Sequence, residues 1–276
     1  MVDYYQKYIK TNLNITSLYN HIYLIGTPEM SFLESESITF VNINKYKENK
    51  FLKNIKKNFQ NYGSKDDKSE LFWLSRVPKL KDFLEEYKLE KIFVIDSDNI
   101  LLCDINLYPF TKKNAICISP NFNKYHQTAS IHSGLIDKSF CEAYEYLYYD
   151  IFENKSKFNL VEDKINFHKS NPGGIADMTL YYHLYNEGLV EFDNLLMPVD
   201  YQGEKSVFIN NYLTAEGFES KNQFQLNRKK LKIFKKEGSN FVYDKKNNEY
   251  LKLLNIHFQG IGKKYLNNKL KFKINL

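Results

Sequence analysis

The sequence predicts an α/β fold in a single domain, with a mixed, mostly parallel central sheet flanked by helices. Three observations lead there. Short apolar runs alternate with stretches of helical spacing. No repeat, Pro/Gly-rich linker or low-complexity block divides the chain. With 276 residues, 43% of them hydrophobic and 26% charged, there is enough apolar material for one large core. The aromatic share of 16% is high. Beside abundant Asn, Lys and Ile, it fits the codon bias of an AT-rich genome and carries little functional weight.

From the amino end, "MVDYYQKYIKTNLNITSLYN" shows no clear apolar run. "HIYLIG" (21–26) is a short apolar run stopped by Gly26 and then Pro28, a buried strand. "KYKENKFLKNIKKNF" (45–59) has helical apolar spacing. "SELFWLSRVPKLKDFLEEYKL" (69–89) predicts a longer helix, capped by Ser69 and bent at Pro78, with Trp73 in the core. Three strands follow: "KIFVI" (91–95), "ILLCDI" (100–105) and "AICIS" (115–119). "KSFCEAYEYLYYDIFEN" (138–154) is helical. "NPGGIADMTLYYHLYNEG" (171–188) reads as a glycine loop, then a helix from about Asp177 to Gly188. Short strands complete the chain, ending with "YLKLLNIHF" (250–258), a glycine turn and a basic tail over about 266–276.

Bulk properties exclude several classes. The net charge of +6 suits anionic ligands, whereas nucleic-acid binding calls for a denser basic stripe. Cys103, Cys117 and Cys141 show no zinc spacing or disulfide framework and predict a reducing compartment. "MVDYYQKYIK" lacks an apolar signal core, and no run is long enough to span a membrane, so the expected location is cytoplasmic. The tail "KLKFKINL" alternates basic and apolar residues, as a lysine-guarded edge strand does. It also permits peripheral attachment to the inner face of an anionic membrane. No G-x-S-x-G, Walker A or Rossmann fingerprint is present.

Two constellations can carry chemistry. In "KIFVIDSD" a buried strand runs straight into Asp96 and Asp98, two carboxylates that repel one another and are costly to desolvate. A divalent cation bridging a diphosphate would relieve both, and paired hard oxygens suit Mg²⁺ or Mn²⁺. A turn in which the acids bond backbone amides is the equal alternative. Ile100 stands where a calcium loop needs oxygen, which disfavours that ion. The second constellation is His257, Gly260 and Lys263, spaced H-x-x-G-x-x-K at a strand's end. Imidazole completes a metal site, glycine lets backbone approach a phosphate, and lysine neutralises a leaving diphosphate.

These segments, in this order, resemble the GT-A glycosyltransferases, nearest in pattern to family 8 and its bacterial polysaccharide and lipooligosaccharide relatives. The resemblance covers about residues 15–265. It implies a Rossmann-like GT-A fold in which Asp96, Asp98 and His257 ligate Mn²⁺ or Mg²⁺, Lys263 contacts the diphosphate and Gly260 is a close-approach glycine. It brings Arg76 near the donor through "SRVPKLKDFLEEYKLEKIFVIDSD" and makes Ser133 and Gly134 of "IHSGLIDKSF" line the sugar site. It also turns Asp177 of "GGIADMTLYYHL" toward the transferred sugar or the acceptor; capping its helix is the equal alternative. Lys264-Tyr265 replaces the Pro-Trp common in family 8.

The implied activity moves a sugar from a nucleotide-diphosphate sugar, UDP by preference, to a glycan or glycolipid acceptor. A retaining course needs no strong base, whereas an inverting one would make Asp177 the catalytic base. Two alternatives stay open. One is a haloacid-dehalogenase-type phosphatase with Asp96 as nucleophile, though "NIL" follows the motif and "HFQGIGK" is left without a task. The other is a non-catalytic sugar-nucleotide or glycan-binding module. His132 is expected to be a solvated loop histidine, and His126, His168 and His183 to be structural.

Overall fold

The computed structural model describes residues 5–46, 49–119, 123–213 and 222–267. They form a mixed α/β protein whose chain divides into two compact units. The first is drawn from the described parts of Met1–Asn42, Ile95–Thr111 and Asn194–Leu276, the second from those of Ile43–Val94 and Lys112–Asp193.

In the first unit, helix α1 (Lys7–Thr16) occupies the stretch that offered no apolar run. Its buried residues Tyr8, Ile9, Asn12, Leu13 and Thr16 recur at helical spacing, but the stripe includes polar residues, which hides it from a hydropathy reading. Strands β1 (Ile22–Gly26) and β2 (Ile38–Asn42) pair in parallel. Strand β4 (Asn99–Leu101) is shorter than "ILLCDI" predicted, because Asp104 caps a 3-10 turn over Ile105–Leu107 and Asn20 holds the Cys103 carbonyl at 2.8 Å.

Strands β8 (Val199–Tyr201), β9 (Glu204–Val207), β12 (Phe234–Lys236), β13 (Ser239–Asp244) and β14 (Glu249–Leu253) make a five-stranded sheet. The run expected as one strand over 250–258 breaks at Leu254, whose N–H turns to the Val207 carbonyl. Beyond the break, β15 (Asn255–His257) leaves that sheet and pairs antiparallel with β4. Helix α8 (Lys263–Asn267) follows. The core of the unit joins Tyr8, Ile9 and Leu13 of α1 to Ile100, Leu251, Ile256 and Phe258. Each such burial contributes about 1.5–3 kcal/mol.

The second unit holds α2 (Lys50–Asn58), α3 (Asp67–Leu74), α4 (Arg76–Glu86), α5 (Lys138–Tyr148), α6 (Asn159–His168) and α7 (Asp177–Asn186). Its sheet runs in the order β3 (Lys91–Ile95), β6 (Thr128–Asp137), β5 (Asn114–Ser119), β7 (Phe192–Asn194). The cap of the 69–89 helix is Asp66 rather than Ser69, since its carboxylate accepts the Ser69 N–H at 3.0 Å. The bend falls at Ser75 instead of Pro78. Pro78 sits in the first turn of α4, where its missing N–H costs nothing.

Antiparallel pairing outweighs parallel, contrary to the mostly parallel sheet expected. Parallel pairs are β1–β2 and β9–β14, whereas β4–β15, β5–β6, β8–β9, β12–β13 and β13–β14 are antiparallel. Tight turns explain this, because parallel neighbours need long crossovers. Gly203 (φ 81°) and Gly238 (φ 78°) close two of these hairpins in left-handed conformations. Of the basic tail, only residues 266 and 267 lie within the described residues.

Candidate metal centre

Asp96 and Asp98 stand on a tight turn between β3 and β4, closed by the Asn99 N–H on the Asp96 carbonyl at 3.0 Å. Helix α1 grips this turn. Asn12, buried, donates its amide to the carbonyls of both Ser97 and Asn99 at 2.8 Å. Thr16 donates to Asn12 Oδ1 at 3.0 Å and accepts the Leu101 N–H at 3.2 Å. Every polar group of the clamp is thus matched, as burial demands.

The long separation in sequence is closed by the β4–β15 pair, which sets His257 directly across from Asn99. A buried amide bond from Asn255 Nδ2 to Asn99 Oδ1 (2.9 Å) fixes the register over 156 positions. The Phe258 N–H donates to the Asp98 carbonyl at 2.8 Å. One ligand atom from each of Asp96, Asp98 and His257 lies within 4.8 Å of the others, so the three form a group able to hold a metal ion.

The histidine is held from behind. Its Nδ1 lies 2.6 Å from the Asn210 carbonyl, which fixes the proton on Nδ1 and aims the lone pair of Nε2 forward. Such a carbonyl behind an imidazole is the support that metal-ligating histidines need. Nε2 lies 3.5 Å from Asp98 Oδ1. Burial opposes protonation of His257 most strongly, yet the Asp98 carboxylate, with Asp96 and the Asn210 carbonyl, outweighs it and raises the pKa. The site is therefore strongly cation-seeking. Two carboxylates and one imidazole are a donor set that suits Mn²⁺ or Mg²⁺.

Lys263 opens α8 and pairs with Asp98 Oδ2 at 3.1 Å. Its Nζ also lies 5.7 Å from the Tyr8 ring centre. Burial lowers its proton affinity, but Asp98 and Tyr8 more than restore it, so the ammonium is retained at neutral pH. Gly260 has φ 58°, a left-handed conformation that favours glycine. A Cβ there would meet nothing within 4 Å, so among the described residues its backbone angle, rather than crowding, calls for glycine.

The remaining predicted residues lie in the second unit. Arg76, buried, donates from Nη2 to the Ile131 carbonyl at 2.9 Å. Ser133 and Gly134 belong to β6, correcting the expected lining segment to a strand. Gly134 pairs with Ile116 but Ser130 with Cys117, so residues 131–133 bulge out of register. A Cβ on Gly134 would come within 3.2 Å of the Ala115 carbonyl, which makes the glycine a sheet-packing residue. His132, expected in solvent, is buried in this bulge.

Asp177 is the first residue of α7, not its cap, and is buried. It accepts from Tyr181 Oη at 3.1 Å and from the Met178 N–H at 2.8 Å. Burial, then Asp177, pushes the hydroxyls of Tyr144 and Tyr181 well up, while Arg76 pulls them down, so the four side chains share one buried polar cluster.

Sequence reasoning missed the supporting residues Asn12, Thr16, Asn210 and Asn255. Asn12 and Asn255 had a legible signal, an amide set among buried apolar neighbours. Asn210 acts through its backbone and leaves no trace in side-chain identity. Among the described residues, no helix is long and apolar enough to cross a membrane. Neither a scan against protein-family models nor a search of curated proteins finds a match for this chain.

Proposed function

We propose that this protein is a metal-dependent glycosyltransferase of the GT-A type, moving a sugar from a nucleotide-diphosphate sugar to a glycan or glycolipid acceptor. The observation that carries the proposal is the convergence of Asp96, Asp98 and His257 within 4.8 Å, with the Lys263 ammonium on the same carboxylate. That is the arrangement a diphosphate leaving group requires: ligands for a divalent ion, and a fixed positive charge beside them. Bound there, Mn²⁺ or Mg²⁺ would supply the charge that offsets a departing diphosphate.

The chain's own residues do the rest. Asn12 holds the acidic turn, Asn210 orients the imidazole, and Lys263 carries a proton that the diphosphate can share. Arg76 as a donor contact and Ser133 and Gly134 as sugar-site residues follow the same resemblance. Asp177 is buried and already accepts two hydrogen bonds. A general base must be free to take a proton from its substrate, so we favour the retaining course.

The phosphatase alternative uses Asp96 and Asp98 but gives His257 no task. The test is nucleotide release from a panel of nucleotide sugars with Mn²⁺. Slow donor hydrolysis is expected for at least one donor, lost with EDTA and in Asp98→Ala. Hydrolysis of p-nitrophenyl phosphate in place of donor turnover would favour the phosphatase. Tight donor binding without turnover, whatever the acceptor, would favour a binding module.

A further inference from the structure

The second unit contains a pocket that the metal centre does not use. Its walls are aromatic: Tyr62, Tyr148, Phe152 and Phe158. Tyr62 stacks on Phe152 with ring centres 6.0 Å apart and meets Phe158 edge-on at 6.5 Å. Among these rings lies a carboxylate, Glu70, only 2% exposed. Its Oε1 accepts the Lys65 N–H at 3.1 Å, while its buried Oε2 has no hydrogen-bond partner among the described residues.

The pocket is built at a cost. A Cβ on Gly63 would lie 2.1 Å from the Glu70 carboxyl carbon, and one on Gly174 would lie 2.5 Å from the Tyr62 carbonyl. Two glycines thus let the wall close over an acid that is left unmatched. Buried polar atoms are normally satisfied, and an exception asks for an explanation.

The chemistry of the lining narrows the ligand. A purely apolar ligand would leave Oε2 unmatched, and an anion would be repelled by Glu70. Lys155 stands at the pocket with its Nζ 5.8 Å from the Phe158 ring centre, taking the aromatic face that a cation would seek. A neutral hydroxylated ring meets every group: its C–H faces lie on the aromatic walls, one hydroxyl donates to Glu70, and another accepts from Lys155. The free space is about 500 Å³ including the open mouth, room for one ring rather than a chain of them.

We infer that this pocket is a subsite for a single monosaccharide ring, with Tyr62, Phe152 and Phe158 on its faces and Glu70 on a hydroxyl. The inference stands apart from the metal centre and can fail without it. The experiment is saturation-transfer NMR on the full chain with the methyl glycosides of glucose, galactose, mannose and N-acetylglucosamine, followed by titration. At least one glycoside should bind, and Phe152→Ala and Glu70→Gln should each weaken it about tenfold or more. Asp98→Ala should leave it unchanged. Glu70→Gln keeps an acceptor for the Lys65 N–H; if it nevertheless fails to fold, Lys155→Ala at the rim serves instead, with an expected loss of affinity. Absence of saturation transfer from all four glycosides would overturn the inference. So would binding indifferent to the pocket variants, or binding lost in Asp98→Ala, which would assign the sugar to the metal centre.

Discussion

Asn12 shows how much of the candidate centre depends on residues that never touch a ligand. Its amide satisfies two carbonyls of the acidic turn. Asn12→Ala would strand those carbonyls in a buried position and cost about 2–3 kcal/mol. Urea denaturation should read this loss, and Mn²⁺ affinity should fall with it, since a misaligned turn separates Asp96 from Asp98. At the same scale, the three cysteines are buried free thiols. Burial pushes the Cys103 thiol up to about 12 and the Cys141 thiol up as well. None should react with a thiol reagent in the native protein, and all three should react in denaturant. Site residues at a strand's end were legible in the sequence because Asp96, Asp98 and His257 each interrupt an apolar run. Arg76 and Asp177 were legible only by resemblance, and their burial in one polar cluster was not, because nothing in their neighbours' periodicity announces it.

Elements were legible where one physical signal dominates. Strand β1 ends at Gly26 as predicted, and α7 starts at Asp177 as predicted. The errors occur where polar residues do structural work. Helix α1 was overlooked because Asn12 and Thr16 sit on its buried face. The break at Leu254 was invisible because the residues on both sides are equally apolar and only their partners differ. Two glycine variants separate conformational need from crowding. Gly260→Ala should cost only about 1–2 kcal/mol, the strain of a left-handed angle, because nothing crowds the site. Gly174→Ala should cost more and open the aromatic pocket, since its methyl would press on the backbone of Tyr62 and Gly63. Thermal melts of the two variants side by side would check the order; equal losses would contradict it.

For the molecule as a whole, one buried cation ties stability to pH. Lys164 donates to the Gln127 carbonyl and to Thr179 Oγ1, and burial pushes its pKa down to about 8 from an ordinary 10.5. Below pH 8 both folded and unfolded chains carry the proton, and the full cost of the buried charge is present. Between about 8 and 10.5 the folded chain releases it first, so this group makes stability rise with pH across that window. Lys164→Met should flatten the rise between urea titrations at pH 7 and pH 9.5. The centre itself is a whole-molecule product, since β4 and β15 must pair across most of the chain before its three ligands meet. Mn²⁺ titration followed by electron paramagnetic resonance tests that claim most directly. One bound Mn²⁺ per chain is predicted, with affinity reduced tenfold or more in each of Asp96→Asn, Asp98→Asn and His257→Ala. Mn²⁺ binding that all three variants retain at full strength, or none in the unaltered protein, would contradict it.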